Sequence, residues 1–330
     1  MLRVMVNYNS GAAITKRILL CQPRGFCAGV ERAVQVIDEL VRRSGETVYV
    51  RKEVVHNRAV VDEFRRRGVI FVDDVEDAPK ASLLVFSAHG ISPEVRERAR
   101  LREQRTIDAV CPLVVKVHRE VTRFVAAGYH ILLIGHAGHE EVEGTLGYGA
   151  GRVTLIQNEA EAEAFDPAVG KPLALVSQTT LAVSDVERII DVLRRRFPTI
   201  QRPPMSDICY ATENRQAAVR AMGPLSEAII VIGSSNSSNS RSLRDTAGED
   251  GRAAYLIDDP AAIQRSWLQN VTTLGVTAGA STPETLVADI IARVMRLDPE
   301  FRTIEPFGTG EPAMTFRPPN ELALILAPRD

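Results

Sequence analysis

The sequence alternates short apolar runs of strand length with amphipathic helical patterns along most of its length. Leu83–Ser87, for example, is an apolar run that is followed by a helical pattern over Pro93–Gln104. Such alternation favours parallel sheets, because parallel strands must be joined by a crossover that is usually a helix. We therefore predict an α/β fold with mostly parallel sheets. The length of 330 residues indicates about two or three domains.

Three cysteines mark a repeat within this alternation. Cys27, Cys111 and Cys209 each directly precede a predicted amphipathic helix. Roughly 28 residues after each cysteine comes a polar loop at a strand end, and a second polar loop follows in the same unit. The first loops span residues 55–57, 135–139 and 234–239, and the second loops span 87–90, 177–180 and 277–281. The chain therefore contains three units that offer one cysteine and two polar loops in the same order.

The repeat predicts three α/β domains around a common centre. Loops at the carboxyl ends of parallel strands form the binding crevice of an open α/β sheet. Three such units facing one another would bring three thiols together and ring them with imidazole, hydroxyl and amide groups. The predicted boundaries are a loosely ordered extension over 1–16, units over 17–110, 111–208 and 209–297, and a tail over 298–330 that packs on the units.

Three cysteines without a fourth indicate a metal centre with one open coordination position. Zinc bound by three thiolates is one candidate, because catalytic zinc keeps an open site. An iron–sulfur cluster held by three thiolates is the other candidate. The wide spacing argues against zinc ribbons and compact ferredoxin motifs. Cys21 ends an apolar strand and has no counterpart before Cys111 or Cys209, so we predict a buried structural thiol there.

Charge and composition exclude several classes of protein. The 40 basic and 42 acidic residues give a net charge of −2, which offers no nucleic-acid-binding surface. No apolar run approaches the ~20 residues of a membrane span, and the first 16 residues do not resemble a signal peptide. The 4 cysteines are widely spaced, which favours reduced thiols or metal ligands over disulfides. We therefore expect a cytoplasmic protein that binds neither nucleic acid nor a membrane.

The polar loops indicate a small anionic ligand. They contain no Walker motif and no G-x-G-x-x-G, so ordinary nucleotide binding is not expected. The run Ser237–Asn239 opens a predicted helix and offers several donors to a phosphate or diphosphate, whereas a helix cap alone would need one of them. The stretch 135–145 places His139 close to Glu141, and a carboxyl beside an imidazole can relay a proton. This stretch is a candidate proton donor next to the metal centre.

Longer motifs give the sequence a family resemblance. The first unit carries PRGFCAGV at 23–30, EVVHN at 53–57 and FSAHG at 86–90. The second unit carries CPLV at 111–114, GHAGHEEVEGT at 135–145 and QTT at 178–180. The third unit carries DICYAT at 207–212, SSNS at 237–240 and GVTAGAS at 275–281. With these motifs in order over residues 17–296, the chain resembles the 4-hydroxy-3-methylbut-2-enyl diphosphate reductases, the LytB family.

The resemblance implies a 4Fe-4S cluster on Cys27, Cys111 and Cys209, which would become a 3Fe-4S cluster after oxidative loss of its open iron. The implied substrate is (E)-4-hydroxy-3-methylbut-2-enyl diphosphate, whose hydroxyl would bind that iron. Two single electrons and two protons would remove the hydroxyl as water and give isopentenyl and dimethylallyl diphosphates, the last step of the non-mevalonate isoprenoid pathway. Ferredoxin or flavodoxin would donate the electrons, and the protein would be a monomer without bound nicotinamide.

The resemblance also implies roles for individual side chains. Glu141 takes the family's proton-donor position, with Thr179 and His139 in the proton and hydroxyl network. Glu140 replaces the proline usual before Glu141, so two adjacent carboxylates compete for the acid role, and the register to 142–144 favours Glu141. The positions that match the diphosphate and substrate site are His56, His89, His139, Thr179, Ser237, Ser238, Asn239 and Ser281.

Two other functions fit part of the pattern. An iron–sulfur dehydratase would use the same open iron without net electron transfer. Consumption of a reduced electron donor during turnover would separate the reductase from the dehydratase. A non-enzymatic iron–sulfur redox sensor would need neither an acid residue nor a diphosphate site.

Overall fold

The computed structural model describes residues 15–167 and 170–327 of the chain. These residues form three parallel sheets with flanking helices. The predicted extension 1–16 lies outside the described residues except for its last two positions. Within the described ranges, no helix combines the length and the apolar composition needed to cross a membrane.

The strands are short apolar runs, as the alternating pattern predicts. In chain order they are β1 (Lys16–Cys21), β2 (Val48–Arg51), β3 (Ile70–Val72), β4 (Leu83–Phe86), β5 (Arg105–Asp108), β6 (His130–Ile134), β7 (Val153–Ile156), β8 (Leu173–Ser177), β9 (Ala228–Ile232), β10 (Ala253–Ile257), β11 (Thr273–Ala278) and β12 (Phe301–Phe307). Strands β4, β8 and β9 are buried at every position. Parallel strands covered on both faces read as continuous apolar runs, which is why the sequence identifies them.

The helices join successive strands and cover the sheets. In chain order they are α1 (Ala28–Arg43), α2 (Arg58–Arg66), α3 (Pro93–Leu101), α4 (Pro112–Ala126), α5 (Glu140–Tyr148), α6 (Glu159–Ala164), α7 (Val183–Arg196), α8 (Tyr210–Met222), α9 (Ser238–Ala247), α10 (Glu284–Leu297) and α11 (Asn320–Leu326). Short 3₁₀ turns complete several connections.

The strand pairs within the three sheets are parallel, which confirms the predicted α/β class. The first sheet has the order β3-β2-β4-β5, the second β7-β6-β8 and the third β10-β9-β11-β1-β12. Each helix that follows a cysteine packs on the next sheet. Ile37 of α1 lies in the core of the first sheet, Val121 of α4 in that of the second, and Val219 of α8 in that of the third.

The strand before Cys27 corrects one predicted boundary. We expected residues from position 17 onward to belong to the first unit. Strand β1 instead lies between β11 and β12 in the third sheet, with Leu19 opposite Gly275 and Glu305. Ile18 and Cys21 of this strand are fully buried, so β1 needs neighbours on both sides, and the third sheet supplies them. The chain therefore closes the third unit with its own first strand.

The tail beyond residue 298 contacts two units. Strand β12 forms the edge of the third sheet beside β1. Helix α11 lies against α1, and Leu322 enters the core beneath the first sheet. Between these two elements the chain passes close to the turn that carries Cys27, where Glu311 bonds to helix α8.

Candidate active site

The three cysteines occupy equivalent positions in the fold. Each one lies directly before a helix: α1, α4 or α8. Each cysteine N–H also donates to a carbonyl in the second polar loop of the preceding sheet. The pairs are Cys27 with Ala280 at 3.2 Å, Cys111 with Ala88 at 3.0 Å and Cys209 with Thr179 at 3.0 Å. These bonds connect the three sheets in a closed ring around the cysteines.

The three thiols line one cavity. Gly29 reveals how closely two of them approach, because a Cβ on this glycine would lie 2.6 Å from Cys111 Sγ and 3.9 Å from Cys27 Sγ. Only a residue without a side chain fits there. The third thiol, Cys209, accepts the N–H of Thr212 at 3.4 Å, and its sulfur lies 3.2 Å from the Thr212 hydroxyl.

The pKa values of the three thiols indicate whether these side chains could bind a metal centre. Burial and the nearby Cys27 together raise the pKa of Cys111 to about 12 and that of Cys209 to about 11. Burial also raises the pKa of Cys27, although the Val30 N–H and the Arg215 charge oppose it. Three thiolates this close together need a cation to stabilise them. The donor set therefore fits a metal–sulfur centre with three protein ligands.

The same cavity gathers the predicted polar residues of all three units. These are His56, His89, His139, Glu141, Thr179, Ser237, Ser238, Asn239 and Ser281. They come from loops that are far apart in the sequence and that meet only because the sheets face a common centre. Every cysteine and polar side chain predicted for the site therefore lies around one space.

Three imidazoles form one wall of the cavity. The rings of His56 and His89 stack with centroids 3.9 Å apart, and the ring of His139 meets them edge-on at 5.3 and 5.9 Å. Burial and the two neighbouring histidines lower the pKa of His139 to about 3, so this ring is neutral. Its Nδ1 accepts the N–H of Glu141 at 3.2 Å, which places the ring proton on Nε2.

Carboxylates orient the two stacked imidazoles. Glu53 Oε2 lies 3.2 Å from His56 Nδ1, and Glu140 Oε2 lies 3.3 Å from His89 Nδ1. The Ser87 hydroxyl donates to the same Glu140 oxygen at 3.2 Å. Burial acts against a charged His89, but the bond to Glu140 and the charges of Glu140, Glu141 and Glu53 together outweigh it, so the pKa of His89 is raised. Burial and the charge of His89 lower the pKa of His56, so His89 takes the proton first.

A second group of potential metal ligands overlaps this wall. Candidate ligand atoms of His56, His89 and Glu140 lie within 4.8 Å of one another. Both Nδ1 atoms already pair with carboxylates, so these residues are better suited to orienting imidazoles than to binding a metal ion. Among the described residues, the three thiols therefore fit a metal centre better than this group does.

Glu141 is a buried acid with two defined donors. Its side chain accepts the N–H of Thr179 at 2.7 Å and the Thr179 hydroxyl at 3.1 Å, and the residue is 2% exposed. Burial raises the pKa of Glu141 to about 7 in spite of these two bonds. The carboxyl can therefore hold a proton near neutral pH and release it inside the cavity.

The third unit supplies hydroxyl and amide groups at the start of α9. Asn239 Oδ1 accepts the N–H of Ala280 at 2.8 Å, and its Nδ2 donates to the Thr212 hydroxyl at 3.3 Å. The Ser281 hydroxyl donates to the carbonyl of His56 at 2.9 Å. These bonds hold a helix N-terminus and several hydroxyls beside the histidines, an arrangement that suits a phosphate group.

Several residues that support the site were not predicted from the sequence. Thr212 contacts Cys209. Its position three residues after that cysteine, at the start of a helix, is the sequence signal that could have predicted this contact. Glu53 pairs with His56. Arg215 is buried on α8 and bonds to Glu311 of the tail, a segment outside the recognised motifs. Cys21 is fully buried in β1 and does not line the cavity.

Fold and site together define an α/β protein in which three parallel sheets face one cavity, with three thiols whose chemistry fits a metal–sulfur centre. A family model described as LytB protein matches residues 18–295. The chain belongs to the LytB family.

Named relatives and a solved structure agree with this assignment. The 4-hydroxy-3-methylbut-2-enyl diphosphate reductase of Acidothermus cellulolyticus is 47% identical over 315 residues, which cover 95% of this chain and 92% of that protein. The reductase of the same name from Bordetella pertussis is 48% identical over 285 residues, which cover 86% and 88%. The structure of E-1-hydroxy-2-methyl-but-2-enyl-4-diphosphate reductase from Plasmodium falciparum matches with a TM-score of 0.91 at 34% identity, covering 94% of this chain and 98% of that one.

Proposed function

We propose that this chain catalyses the reductive dehydroxylation of (E)-4-hydroxy-3-methylbut-2-enyl diphosphate to isopentenyl and dimethylallyl diphosphates. The observation that carries the proposal is the shared cavity, in which three thiols, three imidazoles and a buried carboxyl face one space. Relatives that are 47 and 48% identical over most of their length are named for this reductase activity. A similar solved enzyme is described as the terminal enzyme of the non-mevalonate pathway.

Cys27, Cys111 and Cys209 would hold a 4Fe-4S cluster through their thiolates. When bound, this cluster supplies an open iron that serves as a Lewis acid and a relay for single electrons. A ferredoxin or flavodoxin would deliver the electrons one at a time to a monomeric, cytoplasmic enzyme.

The diphosphate would lie against the imidazole and hydroxyl groups. His89 would carry a positive charge because Glu140 stabilises its imidazolium, and charge-assisted bonds to phosphate oxygens are the strong ones. His139 would donate from Nε2 as a neutral ring. His56, Ser237, Ser238, Asn239 and Ser281 would complete the binding site.

Glu141 would supply a proton for the reaction. The reaction consumes two electrons and two protons, breaks the allylic C–O bond, releases the oxygen as water and places a hydrogen on carbon. With a pKa of about 7, Glu141 holds its proton in a substantial fraction of molecules at neutral pH, and Thr179 fixes its orientation. Burial favours a neutral Glu140 as well, but the bond from His89, the charges of His89 and His56 and the bond from Ser87 together outweigh burial and lower the pKa of Glu140. Glu140 would therefore orient His89 and leave the acid role to Glu141.

Metal and sulfide analysis of anaerobically purified protein tests the cofactor. We expect iron and inorganic sulfide near the ratio of one 4Fe-4S cluster per chain. Cys27→Ser should lose most of both, whereas Cys21→Ala, which alters a buried thiol outside the cavity, should keep them. Stoichiometric zinc without iron or sulfide would contradict the proposal.

Turnover with a reduced viologen and the allylic diphosphate tests the reaction. We expect two viologen electrons to be consumed for each C5 diphosphate product. Loss of water without viologen oxidation would instead identify a dehydratase. A fully loaded cluster that converts no substrate would point to a redox sensor.

A further inference from the structure

Arg215 is a buried charge in the immediate surroundings of two cysteines. It lies on α8, the helix that begins after Cys209, and is 1% exposed. Fully burying a guanidinium is costly unless its donors and its charge are satisfied. The partners of Arg215 therefore indicate why the charge is kept there.

The guanidinium joins the turn that carries Cys27 to helix α8, which begins directly after Cys209. Its Nη2 donates to the carbonyl of Gly25 at 2.9 Å, two residues before Cys27. Its Nη1 donates to the carbonyl of Ala211 at 2.8 Å, two residues after Cys209. Gly25 has a φ of +68°, a left-handed conformation that glycine adopts without strain. One side chain thus fixes the Cys27 turn relative to the first turn of α8.

Glu311 balances the charge of Arg215. Its Oε1 accepts from Arg215 Nη1 at 2.9 Å and from Asn214 Nδ2 at 3.3 Å, and its side chain is 15% exposed. This carboxylate comes from the tail after β12, where the chain crosses the Cys27 turn. Among the described residues, Glu311 is the carboxylate that pairs with Arg215. Removing either partner would leave the other charge buried and uncompensated.

We propose that Arg215 and Glu311 are positioning residues that set the reduction potential of the cluster held by the three cysteines. Each added electron makes the cluster more negative, so a nearby buried cation favours the reduced state and a nearby anion opposes it. Arg215 raises the potential and Glu311 lowers it. This inference rests on the proposed cluster, and it does not depend on the identity of the substrate.

A redox titration of cluster-loaded, full-length protein, followed by electron paramagnetic resonance under anaerobic conditions, tests the pair. We expect Glu311→Gln to shift the midpoint potential to a more positive value. Arg215→Gln should shift it to a more negative value, and Arg215→Lys should stay closer to the wild type because it keeps the charge. The matched control is Glu300→Gln, which removes an exposed carboxylate from the same tail and should cause no shift.

Glu311→Gln decides the question if the Arg215 variants fail to fold or to retain the cluster. Suppose that Glu311→Gln keeps full iron, sulfide and reductase activity but has an unchanged or more negative midpoint potential. That result would overturn the inference about the potential and leave the proposed function intact. Wild-type protein without iron and sulfide would overturn the proposed cofactor together with the inference. If the pair had a purely structural role, its variants would lose the cluster without shifting the midpoint potential in opposite directions, and this result would also overturn the inference.

Discussion

Thr179 donates two hydrogen bonds to Glu141, through its N–H at 2.7 Å and its hydroxyl at 3.1 Å. The carbonyl of the same threonine accepts the N–H of Cys209 at 3.0 Å. One residue therefore fixes both the buried acid and one of the thiol turns. Since the pKa of Glu141 is raised to about 7, this arrangement holds a carboxyl that can carry a proton at neutral pH in the cavity that the thiols line.

Glu141→Gln should retain the cluster and lose reduction. The amide preserves the size of the side chain but cannot release a proton, and general acid catalysis typically contributes ~10²–10⁴-fold to the rate. We expect kcat with a viologen donor to fall by about that factor, with iron and sulfide content unchanged. The control is Glu143→Gln on the same helix, which alters an exposed carboxylate. Full activity of Glu141→Gln would assign the acid role elsewhere.

Thr179→Val should move the alkaline limb of the kcat profile to higher pH. Valine removes the hydroxyl donor and keeps the backbone N–H donor, so the ionised form of Glu141 loses one of its two hydrogen bonds. A bond to a charged group is worth about 1.5–3 kcal/mol, which corresponds to a shift on the order of one pH unit or more. Activity requires the protonated acid, so kcat should fall at a higher pH than in the wild type. Thr179→Ser should restore the original limb, and a limb displaced to lower pH would contradict the assignment.

Glu140→Gln should weaken substrate binding as the pH rises. The Glu140 carboxylate raises the pKa of His89 against the effect of burial, so without it the imidazolium loses its proton at lower pH. The charged groups that also act on His89 are Glu141 and Glu53, and both remain. We expect the ratio of the variant KM to the wild-type KM to be near one at acid pH and to reach about tenfold near pH 7 and above.

Taking a ratio of KM values removes the ionisation of the diphosphate itself, since both enzymes share it. Glu53→Gln is the comparison variant, because Glu53 bonds to His56 and acts on His89 through its charge alone, so its KM ratio should change less with pH. A KM ratio that stays constant across the pH range would exclude a charge effect through His89.

The local pattern and the repeat predict much of the fold and of the site. Cys27, Cys111 and Cys209 are sparse enough for their shared position before a helix to be recognised. Polar residues at the ends of apolar strands identify the loops, because parallel strands end at one edge of each sheet. The loops that carry His56 and Ser281 could therefore be placed near one centre although 225 positions separate the two residues, and the family resemblance assigned both residues to the site.

Pairing partners and tail contacts could not be predicted in the same way. Strand β1 is apolar on both faces, and this property fits the interior of any parallel sheet, so its place beside β11 depends on how the three units close. Strand β12 is mostly exposed and lacks the apolar signal of a central strand. Glu311 lies in a polar segment without periodicity, and its meaning emerges only from the tertiary contact with Arg215.

Gly29→Ala should impair cluster binding although it changes no ligand. A Cβ at this position would lie 2.6 Å from Cys111 Sγ, closer than a carbon and a sulfur can approach, so the thiol or α1 must shift. We expect the variant to contain substantially less iron and sulfide than the wild type, and to keep its secondary structure by circular dichroism. Gly310→Ala is the control, because a Cβ there meets nothing within 4 Å. Full cluster occupancy in Gly29→Ala would contradict this prediction. It would mean that the Cys111 turn adapts and that close packing at Gly29 does not determine the position of the Cys111 thiol.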